Sequence, residues 1–240
     1  MLNAGCAGVD GVTIRVAKKK LIAGEKLEAE QKRMAEILRV LKREYPESQC
    51  SLVHKTPFQL LIATILSAQC TDERVNQVTP ELFRRYPGPE EMAKAKIGDL
   101  EKLVQTTGFF RSKAKSLLEA SQSIMELHDG KVPMELDQLV QLRGVGRKTA
   151  NVVLGVAFGV PGLVVDTHVK RLSARFGFTK SVDPIKIEQE MMKIVVKEDW
   201  SQYAHLLIDH GRAICTARKA KCEECVISRL CAKVGVARVA

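Results

Sequence analysis

No stretch of this 240-residue chain is apolar for long enough to cross a membrane. The longest apolar run, 152–165, is broken by Gly155, Gly159 and Pro161. It falls short of the about 18 residues that a spanning helix needs. It predicts instead a buried helix followed by a turn, and no membrane partner. The N-terminus lacks the basic-then-apolar order of a secretory signal, because the lysines at 18–20 follow its apolar stretch. Acidic residues are scarce before Glu25, which leaves an organellar presequence open beside the preferred reading of 1–24 as a flexible basic tail. Strand patterning is also nearly missing. Only 12–16 alternates, and it has no evident partner. No internal repeat stands out.

What is present is helical. Apolar residues make up 45% of the chain, enough to build a core rather than a disordered segment. Met34, Ile37, Leu38 and Leu41 trace one buried helix face. Thr56-Pro57 is a start signal, a capping hydroxyl followed by proline, and the mostly apolar 58–69 that follows predicts a central helix. Thr71 is placed to cap the next helix, with Val75, Val78, Leu82 and Phe83 on its face. Pro87-Gly88-Pro89 breaks the chain. Shorter periodic stretches run through 97–104 and 136–142, and a longer one through 114–125. Beyond Asp166, Val169, Leu172 and Phe176 share a face. Asp183-Pro184 is a second cap-plus-proline start. Ser201 is placed to cap a last helix carrying Leu206, Leu207 and Ile214. The fold class is all-α.

Formal net charge is +10, which favours a polyanionic partner. The segment 142–151, Leu-Arg-Gly-Val-Gly-Arg-Lys-Thr-Ala-Asn, suggests how one is held. A short helix ends, Gly-Val-Gly turns the chain, and an apolar helix begins. Gly144 and Gly146 permit a sharp turn and close backbone approach. Val145 is expected to plug the hairpin into the core. The second helix offers unpaired N–H groups and a positive dipole end to a phosphate. Arg147 and Lys148 sit in its first turn, where basic residues are disfavoured unless an anion belongs there. An ordinary interhelical turn with a glycine cap is the bland alternative.

This segment resembles the helix–hairpin–helix glycosylase superfamily, and its endonuclease III branch most closely. The resemblance extends to Leu66-Ser67-Ala68-Gln69-Cys70-Thr71-Asp72, to Val165-Asp166-Thr167-His168 and to a four-cysteine tail, in the same order and spacing, from about Lys32 to Cys231. It implies two domains with a DNA cleft between them. One is a six-helix barrel over 50–160, with the hairpin at about 136–158. The other is a helical iron–sulfur domain built from 25–49 and 161–240.

It further implies a bifunctional DNA glycosylase and abasic-site lyase of base excision repair, acting on oxidised pyrimidines in damaged double-stranded DNA as a monomer. The compartment follows the source: the bacterial cytoplasm at the nucleoid, or a eukaryotic nucleus or organelle. Lys148 takes the position of the family's nucleophile. A free lysine is almost wholly protonated at neutral pH, so a nucleophilic one needs surroundings that favour the neutral amine. Arg147, the helix N-terminus and partial burial are expected to act that way. Asp166 matches the family's essential aspartate, although on its own it reads as a helix cap. His168 is expected either to orient groups near the site or to pack. The target nucleotide must leave the duplex. Gln69 matches a residue that fills the gap, and Phe109 an apolar wedge that is more often leucine. A core aromatic is the alternative for Phe109. Arg143 stands where proline is common and adds a cation beside the glycines. Cys70 is expected to be buried and inert. Two rivals remain: a monofunctional glycosylase, and a DNA-binding module without catalysis.

Seven cysteines are an uneven set. Cys6, Cys50 and Cys70 are scattered, whereas Cys215, Cys222, Cys225 and Cys231 fall within 17 residues. In a reducing compartment such a group suggests metal rather than disulfides. Four thiolates suit either zinc or an iron–sulfur cluster. The family spacing implies [4Fe-4S]. Arg218, Lys219 and Lys221 lie between the first two cysteines and are expected to meet phosphates.

Overall fold

The computed structural model describes residues 11–236, with side chains from Gly24 onward. The first ten residues of the expected tail, and Cys6 with them, lie outside the described residues. Eleven α-helices and no strand occur among the described residues. The all-α expectation therefore holds. The alternating 12–16 segment is a correction: it belongs to α1, Gly11–Glu44. Alternation over five residues cannot by itself outweigh a long helix on its C-terminal side. No described helix is long and apolar enough to cross a membrane.

The helices start where their caps place them. Thr56 accepts from Gln59 N at the head of α2, Pro57–Leu66. Thr71 accepts from Arg74 N before α3, Asp72–Arg85. Pro89 opens the short α4, Pro89–Ala93, followed by α5, Ile97–Val104, and α6, Phe110–Leu127. Next come α7, Leu136–Leu139, and α8, Arg147–Phe158, which ends at Gly159 in the left-handed region. Asp166 caps α9, Thr167–Arg175, and Asp183 caps α10, Pro184–Ile194. Ser201 does not cap the last helix. That helix, α11, is Trp200–Ala213, and Asp199 stands ahead of it. Asp199 ends a 3₁₀ turn, Lys197–Asp199, that already carries the chain into helical geometry.

The apolar interior divides in two. One cluster draws on α2 to α8, from Leu52 to Leu154. The other joins Met34, Ile37, Leu38 and Leu41 of α1 to α9, α10, α11 and Ile227. Helix α2 is the axis of the first: all its residues but Pro57 and Gln59 are buried, so it has no solvent face. Leu61 has no exposure at all. Removing such a side chain costs about 2–5 kcal/mol through lost transfer energy and the cavity left behind. Helix α11 belongs to the second cluster on one side only. Its other side meets a cavity of about 380 Å³ that both clusters help to line.

Candidate active site

The hairpin is built by packing. Leu142 and Val145 are buried in the first core, and Val145 N donates to Leu142 O. Gly144 sits at φ +79, and a Cβ there would lie 2.8 Å from Ser116. The fold alone therefore demands glycine at 144. It makes no such demand at 146. Gly146 has φ −91, and a Cβ there would meet nothing within 4 Å. Gly146 is the N-cap of α8 and supplies no side-chain oxygen. The first-turn N–H groups of α8 thus lack the side-chain cap that α2, α3, α9 and α10 all have.

Two cations of this region are engaged elsewhere. Arg147 donates from Nε and NH2 to both oxygens of Glu188, at 3.0 and 2.9 Å. Glu188 is buried on α10, so the pair joins the hairpin to the second core. Arg143 pairs with Glu119 at 3.0 Å. These are corrections. Arg147 is compensated by a carboxylate and does not present an unpaired cation to Lys148. Arg143 is not a lone cation beside the glycines. Lys148 itself is exposed, not partly buried, because the first turn of α8 points away from the core.

Lys148 and Asp166 line the same cavity, together with Gln69. Oδ1 of Asp166 accepts from His168 N at 2.9 Å and Val169 N at 2.8 Å. The capping role is real, and it fixes the carboxylate at the cavity wall. The two roles considered for Asp166 are compatible. His168 stands behind this wall. Its Nδ1 accepts from Arg171 at 3.2 Å, and its ring packs on Gly211. Burial pushes its pKa down, against the pull of Asp166, so the ring is neutral at neutral pH.

Gln69 and Phe109 share an uncommon backbone. Gln69 lies at φ 53 and Phe109 at φ 47, both in the left-handed region. A non-glycine residue there costs about 1–2 kcal/mol. Gln69 follows α2 rather than ending it, because Ser67 stops the helix. Phe109 is 68% exposed, which removes the core-aromatic alternative. Cys70 is half-buried and also lines the cavity, so the expectation of a buried, inert thiol is corrected. It follows the turn at Gln69 and packs at the edge of the first core.

The four C-terminal cysteines border one small pocket. Burial pushes the Cys225 thiol up to about 11, and Cys231, Cys215 and Cys222 push it the same way. Four thiolates share this pocket only if cations neutralise them. Among the described residues no three His, Cys, Asp or Glu side chains come close enough to hold a single metal ion. Sequence reading missed the clasp around this pocket. Arg175 NH1 donates to Cys215 Sγ and Thr216 O, and its NH2 to Ala217 O. Arg171 donates to Gly211 O and Cys215 O. Their spacing of four residues on α9 was the available signal. His210, fully buried, bridges Tyr45 Oη at 3.0 Å and Cys225 Sγ at 3.5 Å, and burial pushes its pKa down to about 4. Arg218, Lys219 and Lys221 are exposed on the intervening loop, with Lys221 3.8 Å from Glu224.

The family model for HhH-GPD superfamily base excision DNA repair proteins matches residues 62–197. That defines the class. Endonuclease III of Synechocystis is 53% identical over 86% of this chain and 94% of its own length. The Escherichia coli protein of that name is 39% identical over 82% and 93%. An endonuclease III trapped as a covalent intermediate with DNA superposes with a TM-score of 0.80, at 41% identity, covering 85% of this chain and 96% of that one. The chain belongs to the endonuclease III family.

Proposed function

We propose that this protein is a DNA glycosylase and abasic-site lyase of base excision repair that removes oxidised pyrimidines from damaged double-stranded DNA. One observation carries the reading: Lys148 and Asp166, from different segments of the fold, line one cavity with Gln69 at its edge. At about 380 Å³ it lies within the roughly 300–1,000 Å³ usual for small-ligand sites.

The chemistry proceeds in balanced steps. Asp166 accepts a proton from the Lys148 ammonium, and the free amine attacks C1′ of the extruded nucleotide. The C1′–N bond breaks and the base leaves with its electron pair, taking up a proton. The nitrogen lone pair then opens the sugar ring: C1′–O4′ breaks, O4′ takes up the proton the nitrogen sheds, and a protonated Schiff base joins Lys148 to C1′. Loss of a C2′ proton expels the 3′ phosphate by β-elimination, and water releases the enzyme. Asp166 also stabilises the positive charge that develops at the sugar. Gln69 and Phe109 occupy the gap in the duplex. Gly144, Gly146 and the first turn of α8 receive a backbone phosphate. Arg147 supports that hairpin through Glu188, and His168 supports Asp166 from behind. Neither touches DNA in this reading.

Cys215, Cys222, Cys225 and Cys231 would hold a [4Fe-4S] cluster. When bound, the cluster supplies charge neutralisation and a fixed loop. Arg218, Lys219 and Lys221 then face phosphates from a rigid base. The protein acts as a monomer, in the bacterial cytoplasm at the nucleoid.

The test is borohydride reduction in the presence of abasic-site DNA. Wild type should give a covalent adduct, and Lys148→Ala none. Absence of an adduct with wild type would overturn the lyase reading. A protein that absorbs broadly in the visible blue and contains iron supports the cluster; a colourless zinc protein refutes it.

A further inference from the structure

The walls of the cavity are chemically unequal. Lys148 and Asp166 sit on the α8 and 162–166 walls, where the sugar must lie for C1′ to be attacked. Helix α11 forms another wall with a single stripe: Ser201, Ala204, His205, Ile208, Asp209 and Arg212. The spacing is that of one helix face. The opposite face, Tyr203, Leu206, Leu207 and His210, is packed in the second core.

Two polar residues of the stripe are engaged. Ser201 Oγ packs on Gly155, and Arg212 lies 3.9 Å from Asp72. Asp72 in turn accepts from Ser51 Oγ. His205 and Asp209 differ. Both are half-buried, one turn apart, and line the cavity with no hydrogen bond or ion pair to another described residue. Their polar atoms therefore open into the cavity. Polar groups at a cavity wall with no protein partner are free to meet a ligand.

Building on the base-excision reading, we propose that His205 and Asp209 read the pairing edge of the extruded pyrimidine. A thymine-derived base offers an N3–H donor between two carbonyl oxygens. A cytosine-derived base offers an N4–H donor beside an N3 acceptor. The Asp209 carboxylate accepts from N3–H of the first. The neutral imidazole of His205 carries an N–H that donates to the neighbouring O4. A cytosine-derived base sets its N3 lone pair against Asp209, so this wall favours the thymine-derived class. Burial keeps His205 neutral, while Asp209, Asp72 and Asp166 pull the other way.

The experiment alters the substrate and the protein together. Duplexes carry 5,6-dihydrothymine, its N3-methyl derivative, or a bare abasic site. In wild type, N3-methylation should slow base release at least tenfold, because Asp209 loses its donor. In Asp209→Leu, base release from dihydrothymine should fall at least tenfold, and methylation should make no further difference. His205→Ala should lower base release at least ten times more than it lowers adduct formation at the abasic site. Equal sensitivity to methylation in wild type and Asp209→Leu would overturn the assignment. So would an equal loss on base-bearing and abasic duplexes, which would place these residues at the sugar. The abasic arm separates the two readings: a wild type that forms no adduct there sinks the lyase function, whereas one that does while methylation is without effect sinks only the base-reading wall.

Discussion

The hairpin at 142–148 and the cysteine loop at 215–221 are both basic, yet they are held by opposite means. The hairpin is fixed by apolar packing: Leu142 and Val145 are buried, and Gly144 is wedged against Ser116. The loop has only Cys215 in the core, and its carbonyls are held by arginines of α9. A packed turn forms as the core forms. A loop tied through guanidinium–carbonyl bonds depends on a few long side chains and on whatever neutralises the thiols. The hairpin should therefore tolerate loss of metal, and the loop should not.

Substitutions that break each mode of support sharpen this contrast. The largest effect is expected for Arg175→Met. It removes several hydrogen bonds from a charged donor, each worth about 1.5–3 kcal/mol. A loss of about 3 kcal/mol should appear in thermal melts, with release of the proposed cluster's iron in step. If the protein keeps its iron and its melting temperature, the clasp is unimportant. Gly144→Ala comes next, at about 2–3 kcal/mol, from left-handed strain and the close Ser116 contact. Its metal content should be unchanged. Arg147→Met is expected to cost about 1–2 kcal/mol. Breaking a buried pair costs more, but Arg147 is 48% exposed, and solvent screens part of the interaction. The smallest stability effect belongs to Gly146→Ala, under about 0.5 kcal/mol. Its DNA affinity should nonetheless fall about tenfold in a fluorescence titration, because the added methyl group stands where a phosphate approaches. If Gly146→Ala unfolds the protein as readily as Gly144→Ala, the two glycines serve one purpose and the contrast fails.

Local chemistry was legible in the sequence, and distant pairing was not. The caps at Thr56, Thr71 and Asp183 and the apolar face of α1 are set by neighbours within a few residues, so spacing reveals them. Val145 as a plug follows from one apolar residue between two glycines. Arg147 illustrates the other case. Its partner Glu188 lies 41 residues away on another helix, and nothing in the hairpin announces it. Without that partner, a first-turn arginine reads as an anion ligand. The exposure of Lys148 was hidden for a similar reason, since an apolar helix downstream suggests burial but does not fix which turn reaches solvent. His205 and Asp209 passed unnoticed because their spacing is common on any helix. Only the cavity distinguishes that face.

The left-handed backbones at Gln69 and Phe109 have a kinetic consequence. A residue locked in a rare conformation has few alternatives to sample, so neither tip must search for its shape when DNA arrives. On the proposed reading, the enzyme moves along a duplex with two stiff fingers already set. The pace of inspection is then governed by how readily each base step opens. Undamaged, well-stacked steps resist and are passed over quickly, while a weakened step yields and holds the enzyme in place.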